Sequence, residues 1–214
     1  FDPGATRPHE AGDRTRVALI GTFPPRKCGI ATFTQDLSEQ VARYHPEVAF
    51  QIFALDDGGR ERDYGPDVTR LASNDPAAYR AAADAINASG ADAVWLQHEY
   101  GIFGGPDGDM VCAFVDRLAA PLVLTLHTVL SEPSERQRAI LEHLLARASR
   151  VMVMSRHSRE MLIDGYHAPR QLIEVIEHGA PDRPFAPSAA AKAAQGLEGR
   201  MVLTTFGLLG PGKG

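Results

Sequence analysis

Short apolar runs recur along the chain at Val17 to Thr22, Phe50 to Leu55, Val68 to Leu71, Ala93 to His98, Leu122 to His127, Val151 to Ser155, Leu172 to Ile176 and Met201 to Gly207. Most lack polar alternation, which predicts strands covered on both faces and hence a mostly parallel sheet. The segments between them carry helical signals. Ile30, Phe33, Leu37 and Val41 recur at three and four, which puts one apolar stripe on a first helix. Asp75 followed by Pro76 reads as an N-cap with proline in the first helical position, and Gly90 as a left-handed end to that helix. Ser134 and Gln137 form a capping box ahead of Ile140, Leu141, Leu144 and Leu145. Ser155 sits at a strand-to-helix junction, and Gly165 is expected to close the helix that holds Met161 and Leu162.

This alternation predicts an α/β domain with a doubly wound, mostly parallel Rossmann-like sheet over 16–180. Residues 1–15 have no period and read as a lead-in. Residues 181–200, rich in Ala, Pro and polar side chains, read as an interdomain linker, and 201–214 as the first strand and loop of a second domain. At 214 residues the chain is long enough for one sizeable core plus such a fragment. A hydrophobic content of 44% with 23% charged residues is ordinary for a globular protein. The net charge of -5 offers no basic face for nucleic acid. Cys28 and Cys112 lie far apart with no CxxC spacing, so neither a disulfide framework nor a zinc site is indicated, and a reducing cytoplasm is expected. No apolar run approaches the ~20 residues of a membrane span, although a peripheral membrane location stays open.

Ligands of open parallel sheets collect outside the carboxyl ends of the strands, which is where the chemistry-bearing residues fall. After the first strand comes Phe23-Pro24-Pro25-Arg26-Lys27-Cys28-Gly29. Its Gly29 allows close backbone approach and its Arg26 and Lys27 suit anionic groups, although the same sequence also fits a rigid surface turn. It is not the GxGxxG fingerprint of a nicotinamide site. His98, Glu99 and Tyr100 end the fourth run ahead of Gly101, Gly104 and Gly105. Two polar groups and an aromatic ring over flexible glycines suit a carbohydrate; a capped strand end and a turn are the plainer alternative. His127 closes an almost wholly apolar strand and is either a hydrogen-bonded structural residue or part of a cleft shared with His98. The two histidines lack metal-ligand spacing. Gly207 to Lys213 fits GxxxxGK, but Gly214 stands where a P-loop needs Ser or Thr for magnesium. An NTPase is therefore disfavoured, while Lys213 still suits a diphosphate. Cys28 has no recognisable partner for nucleophilic work, and Arg136, Arg138 and Arg147 read as a solvated helix face.

Together, Phe23 to Gly29, Leu96 to Gly101, Leu124 to Thr128, Val153 to Ser155, Ile176 to Gly179 and Phe206 to Gly214 resemble, in order and spacing, the retaining glycosyltransferases of family 4 with the GT-B fold. The resemblance implies two Rossmann-like domains about a cleft, this chain being chiefly the acceptor-side domain. It implies that Gly29 lets a helix N-terminus approach the donor diphosphate, that His127 lies near the transferred sugar, and that Lys213 and Gly214 sit on the diphosphate. Two departures stand out. Cys28-Gly29 replaces a glycine pair, and Gly207 replaces an arginine usually found six residues before the lysine, which leaves Arg26 or a residue beyond Gly214 to help neutralise the leaving group. His98, Glu99 and Tyr100 are expected to face the acceptor. The implied reaction is transfer of a hexosyl unit from a nucleoside diphosphate sugar to a carbohydrate or lipid-linked acceptor, with retention, no cofactor and no required metal. A nucleotide-sugar epimerase of the same fold and a non-catalytic ligand-binding module are the alternatives. The isolated chain is expected to be weakly active or inactive, because proximity of two bound substrates supplies much of the rate.

Overall fold

Seven of the eight apolar runs form strands of one sheet in the computed structural model, which describes residues 14–59, 62–180 and 184–205. The strands are β1 (Thr15–Gly21), β2 (Val48–Asp56), β3 (Val68–Ala72), β4 (Ala93–His98), β5 (Leu122–Leu126), β6 (Ala148–Val153) and β7 (Ile173–Val175). Their order is β3-β2-β1-β4-β5-β6-β7, and every pairing is parallel. The chain thus winds outward from β1 to β3, returns to place β4 on the other side of β1, and winds outward again to β7. That reversal makes the crevice between the ends of β1 and β4 the topological switch point.

The helices are α1 (Gly29–Tyr44), α2 (Pro76–Ser89), α3 (Met110–Arg117), α4 (Glu135–Arg147), α5 (Arg156–Tyr166) and α6 (Ser188–Ala194). Right-handed crossovers send α1 to one face of the sheet and α2 to α5 to the other. The main core lies on the second face. There Ile20, Phe53, Leu55, Leu96, Leu124 and Val153 pack with Tyr79, Ile86, Phe114, Leu141, Leu144 and Leu162 from the four helices. Strand residues point alternately to opposite faces, so the neighbours of these core residues meet α1 or lie beyond it.

Local signals behaved as their chemistry requires. Asp75 caps α2 through the Ala77 amide, Pro76 opens it, and Gly90 closes it with a left-handed φ of 67°. Ser134 and Gln137 form the full capping box of α4, and Ser155 caps α5 through the Ser158 amide.

Several expectations are corrected. Gly165 lies inside α5, and His167 adopts the left-handed conformation at its end, φ 54°. The stripe Ile30, Phe33, Leu37, Val41 is only half-buried; the buried positions of α1 are Ala31, Thr34 and Ser38. Small residues there let the helix sit close over the sheet. Arg138 and Arg147 are not simply solvated. Arg138 donates to the Gly165 carbonyl and lies over the Tyr166 ring, while Arg147 donates to the carbonyls of Val115 and Leu118 near the end of α3. Gly104 is packed rather than flexible: a Cβ there would lie 1.9 Å from the Ser73 carbonyl oxygen. The Tyr79 hydroxyl donates to that same oxygen and accepts from the Gly104 amide, which ties the two loops together.

Two compact units divide at Glu177 and His178. In the second, the expected linker carries α6, for which its run of alanines is the local cause. The buried strand expected over Met201 to Gly207 is not seen where the structure describes it. Met201 to Thr205 form no strand, and Met201 and Leu203 are 91% and 93% exposed. A parallel strand needs a neighbour to bond with, and none pairs with this segment among the described residues. No helix among the described residues is long and apolar enough to cross a membrane.

Candidate functional site

Thr22 and Cys28 shape the turn between β1 and α1. Cys28 is the N-cap of α1: its Sγ accepts from the Ala31 amide at 3.3 Å and lies 3.1 Å from the Oγ1 of buried Thr22. Gly29, the first helical residue, is exposed, and a Cβ built on it would meet nothing within 4 Å. Packing within the chain therefore does not require glycine there. The first amides of a helix lack intrahelical partners and carry the positive end of its dipole, so this open turn is suited to an anion.

His127 stands beside that turn. Its ring meets Phe33 edge-on at 5.0 Å, and Phe33 lies one helical turn beyond Gly29 on the same side of α1. The His127 backbone amide donates to the His98 carbonyl at 3.0 Å, which continues the β4–β5 pairing by one bond. Its Nε2 lies 2.9 Å from Gln97 Oε1. Gln97 is completely buried and is pressed from behind by β1, since a Cβ on Gly21 would come within 3.0 Å of Gln97 Cβ. On the same face Trp95 Nε1 donates to the buried Thr125 Oγ1 at 2.8 Å.

His98, the next residue after Gln97, points to the opposite face. It is 1% exposed, stacked on Phe103 at 5.7 Å and met edge-on by Tyr100 at 5.0 Å. Neither ring nitrogen has a hydrogen-bond partner among the described residues. Burial, assisted by nearby His127, pushes its pKa down to about 3, so the ring is neutral. Tyr100 is likewise buried, and its hydroxyl donates to the Gln137 carbonyl at 3.3 Å. Glu99 is half-buried with both carboxylate oxygens engaged: one accepts from the Tyr100 amide, the other from the Thr128 hydroxyl. Of the three residues expected to face an acceptor, His98 and Tyr100 thus lie in the core, and Glu99 fastens the β4 loop to the β5 loop.

Arg26 is also held. It donates to the Leu55 carbonyl at 3.4 Å and pairs with Asp57 at 3.4 Å. Behind it, the Asp56 carboxylate is buried and bound by Arg62, Arg70 and the Gly58 amide. Burial alone would raise the Asp56 pKa, but those hydrogen bonds and charges outweigh it and hold the pKa below the ordinary carboxylate value. Arg62 and the Gly59 amide depress Asp57 in the same way, with burial opposing and Arg26 adding its charge.

The fold therefore brings Gly29 and His127 together on the α1 face, sets Arg26 against Asp57 at the end of β2, and sends His98 and Tyr100 into the core. Lys213 and Gly214 lie outside the described residues. Among the described residues no group of three His, Cys, Asp or Glu is placed to hold a metal ion. In the sequence Gln97 stands only inside the Leu96 to Gly101 motif. A glutamine inside an otherwise apolar strand was the available signal, because a buried amide needs a reason to be there.

A seven-stranded parallel sheet with an open helix N-terminus and a histidine near its switch point makes this a doubly wound, Rossmann-like α/β lobe. The Glycosyltransferase Family 4 profile matches residues 28–183, and the chain belongs to that family. Among solved structures it is similar to a glycosyltransferase from Rickettsia africae ESF-5, with 14% identity and a TM-score of 0.56, over 88% of this chain and 50% of that one. It is also similar to an alpha-glucosyltransferase solved with UDP and a 13-mer DNA containing a central A:G mismatch, with 14% identity and a TM-score of 0.50, over 66% of this chain and 37% of that one. At such identity the likeness is one of fold, and the chain spans half the length of the first neighbour or less of the second. No curated protein sequence matches it.

Proposed function

We propose that this chain is the acceptor-side lobe of a GT-B glycosyltransferase, and that the complete protein transfers a hexosyl unit from a nucleoside diphosphate sugar to a carbohydrate or lipid-linked acceptor with retention at the anomeric carbon. The observation that carries this reading is the convergence of His127 with the open N-terminal turn of α1 at the switch point. Breaking the sugar–phosphate bond leaves negative charge on the diphosphate. The amides at Gly29, the Arg26 guanidinium, and Lys213 with Gly214 would meet that charge more strongly in the transition state than before it, which is the condition for accelerating the reaction. His127 would orient the donor sugar and oppose the electron-poor anomeric centre. His98 and Tyr100 support the acceptor side from beneath, and the Glu99–Thr128 hydrogen bond fixes the loops that form its wall.

Transfer by the complete protein tests the assignment. His127→Ala should lower kcat at least tenfold, equivalent to about 1.4 kcal/mol of transition-state stabilisation. An unchanged rate removes His127 from the site. Calorimetry with nucleoside diphosphates should give heat of binding, and product analysis should show sugar on the acceptor rather than an isomerised nucleotide sugar.

A further inference from the structure

We infer that Gln97 is a positioning residue for His127: its amide oxygen holds the imidazole in the tautomer with the proton on Nε2 and fixes the plane of the ring. The 2.9 Å contact joins Gln97 Oε1 to His127 Nε2. A neutral imidazole can place a proton against a carbonyl oxygen only by carrying it on that nitrogen, so the accepting lone pair belongs to Nδ1. Three further features hold the arrangement. Phe33 meets the ring edge-on at 5.0 Å, and the His127 backbone is bonded to the His98 carbonyl at 3.0 Å. Gln97 itself has no room to retreat, with Gly21 Cα behind it: an added methyl there would lie 3.0 Å from Gln97 Cβ and 3.2 Å from Thr34 Oγ1.

Folding alone does not account for this glutamine. Its side chain is fully buried and its Nε2 has no hydrogen-bond partner among the described residues. An unpaired buried amide nitrogen is costly, and a methionine of similar length would fill the same space without that cost. What methionine cannot do is accept the Nε2 proton of His127. The choice of a neutral amide over a carboxylate also matters, because a carboxylate on Nε2 would favour the imidazolium form. Gln97 orients the ring without charging it. That this orientation serves glycosyl transfer rests on the reading that His127 faces the donor sugar; the tautomer itself does not.

Long-range nitrogen–proton correlation spectra of the histidine-labelled chain read the tautomer directly. The wild type should show His127 with the proton on Nε2. Gln97→Met should shift the population toward the Nδ1 form without lowering Tm, and Gln97→Glu, which keeps an oxygen acceptor, should restore the Nε2 proton but as the doubly protonated imidazolium. In the complete protein Gln97→Met should reduce kcat about tenfold, the worth of one hydrogen bond, with little change in donor KM. A wild-type spectrum with the proton on Nδ1 overturns the inference, since it would mean that the amide is turned and donates to the ring. An unchanged tautomer in Gln97→Met overturns it as well. A tautomer that shifts while turnover stays constant upholds the inference and instead refutes the catalytic placement of His127.

Discussion

Replacing Gly29 by alanine separates what the fold needs from what the ligand needs. Gly29 is the first residue of α1, its φ is one that any L-residue adopts, and an added Cβ meets no atom within 4 Å. Alanine therefore brings no clash, and it narrows the conformations open to the unfolded chain, which is worth about 0.4–1 kcal/mol at a compatible position. For a chain of this size that corresponds to a rise in Tm of roughly 1–4 °C. Function should move the other way. If a diphosphate approaches the amides at this turn, a methyl group on the helix N-terminus keeps it out of hydrogen-bond distance. One charge-assisted hydrogen bond lost costs about 1.5–3 kcal/mol, a fall of roughly ten- to a hundredfold in kcat/KM for the donor. Thermal unfolding of the variant and donor kinetics of the complete protein make the pair of measurements. A lower Tm would show that the space at Gly29 is not open. A raised Tm with unaltered donor kinetics would show that the diphosphate binds elsewhere.

The buried His98 makes an acid-sensitive contribution whose sign is fixed by its depressed pKa. Between the ordinary value of 6.5 and the folded value of about 3, the unfolded chain takes up a proton that the folded chain refuses, so stability falls as pH falls through that window. The slope approaches ~1.4 kcal/mol per pH unit, and His98→Phe, which keeps the aromatic stack on Phe103, should flatten it in urea titrations run across that range. A slope unchanged in the variant would place the acid sensitivity in another group. Asp57→Asn should leave stability within about 1 kcal/mol, because Asp57 is partly exposed in its pairs with Arg26 and Arg62, yet release Arg26 and lower donor KM by up to about fivefold at low salt. An unaltered KM would exclude Arg26 from the diphosphate site.

Much of the scaffold was written locally. The β1 and β4 to β6 runs are apolar without alternation because both faces of those strands are covered or half-covered, and the caps at Asp75, Ser134 and Ser155 satisfy helix amides a few residues away. Such signals need no knowledge of the fold. The helix α3 has only 8 residues, two turns, too few for its apolar positions to set a clear period in the sequence. Met201 to Thr205 form no strand among the described residues, because a parallel strand needs a neighbour to bond with and apolarity alone does not supply one.

The candidate site divides the same way. From the order of residues alone, the Gly29 turn and His127 could be assigned to strand ends, since a parallel sheet brings every such end to one rim. Which face each side chain takes, and what it meets there, depends on partners far apart in the chain: Gln97 on His127, Asp57 on Arg26, Phe103 over His98. A strand alternates direction at every residue, so neighbours as similar in sequence position as Gln97 and His98 end on opposite sides, one supporting the switch-point histidine and the other buried in the core. Sequence spacing carries the alternation, and only the packed layers decide which side is the cleft.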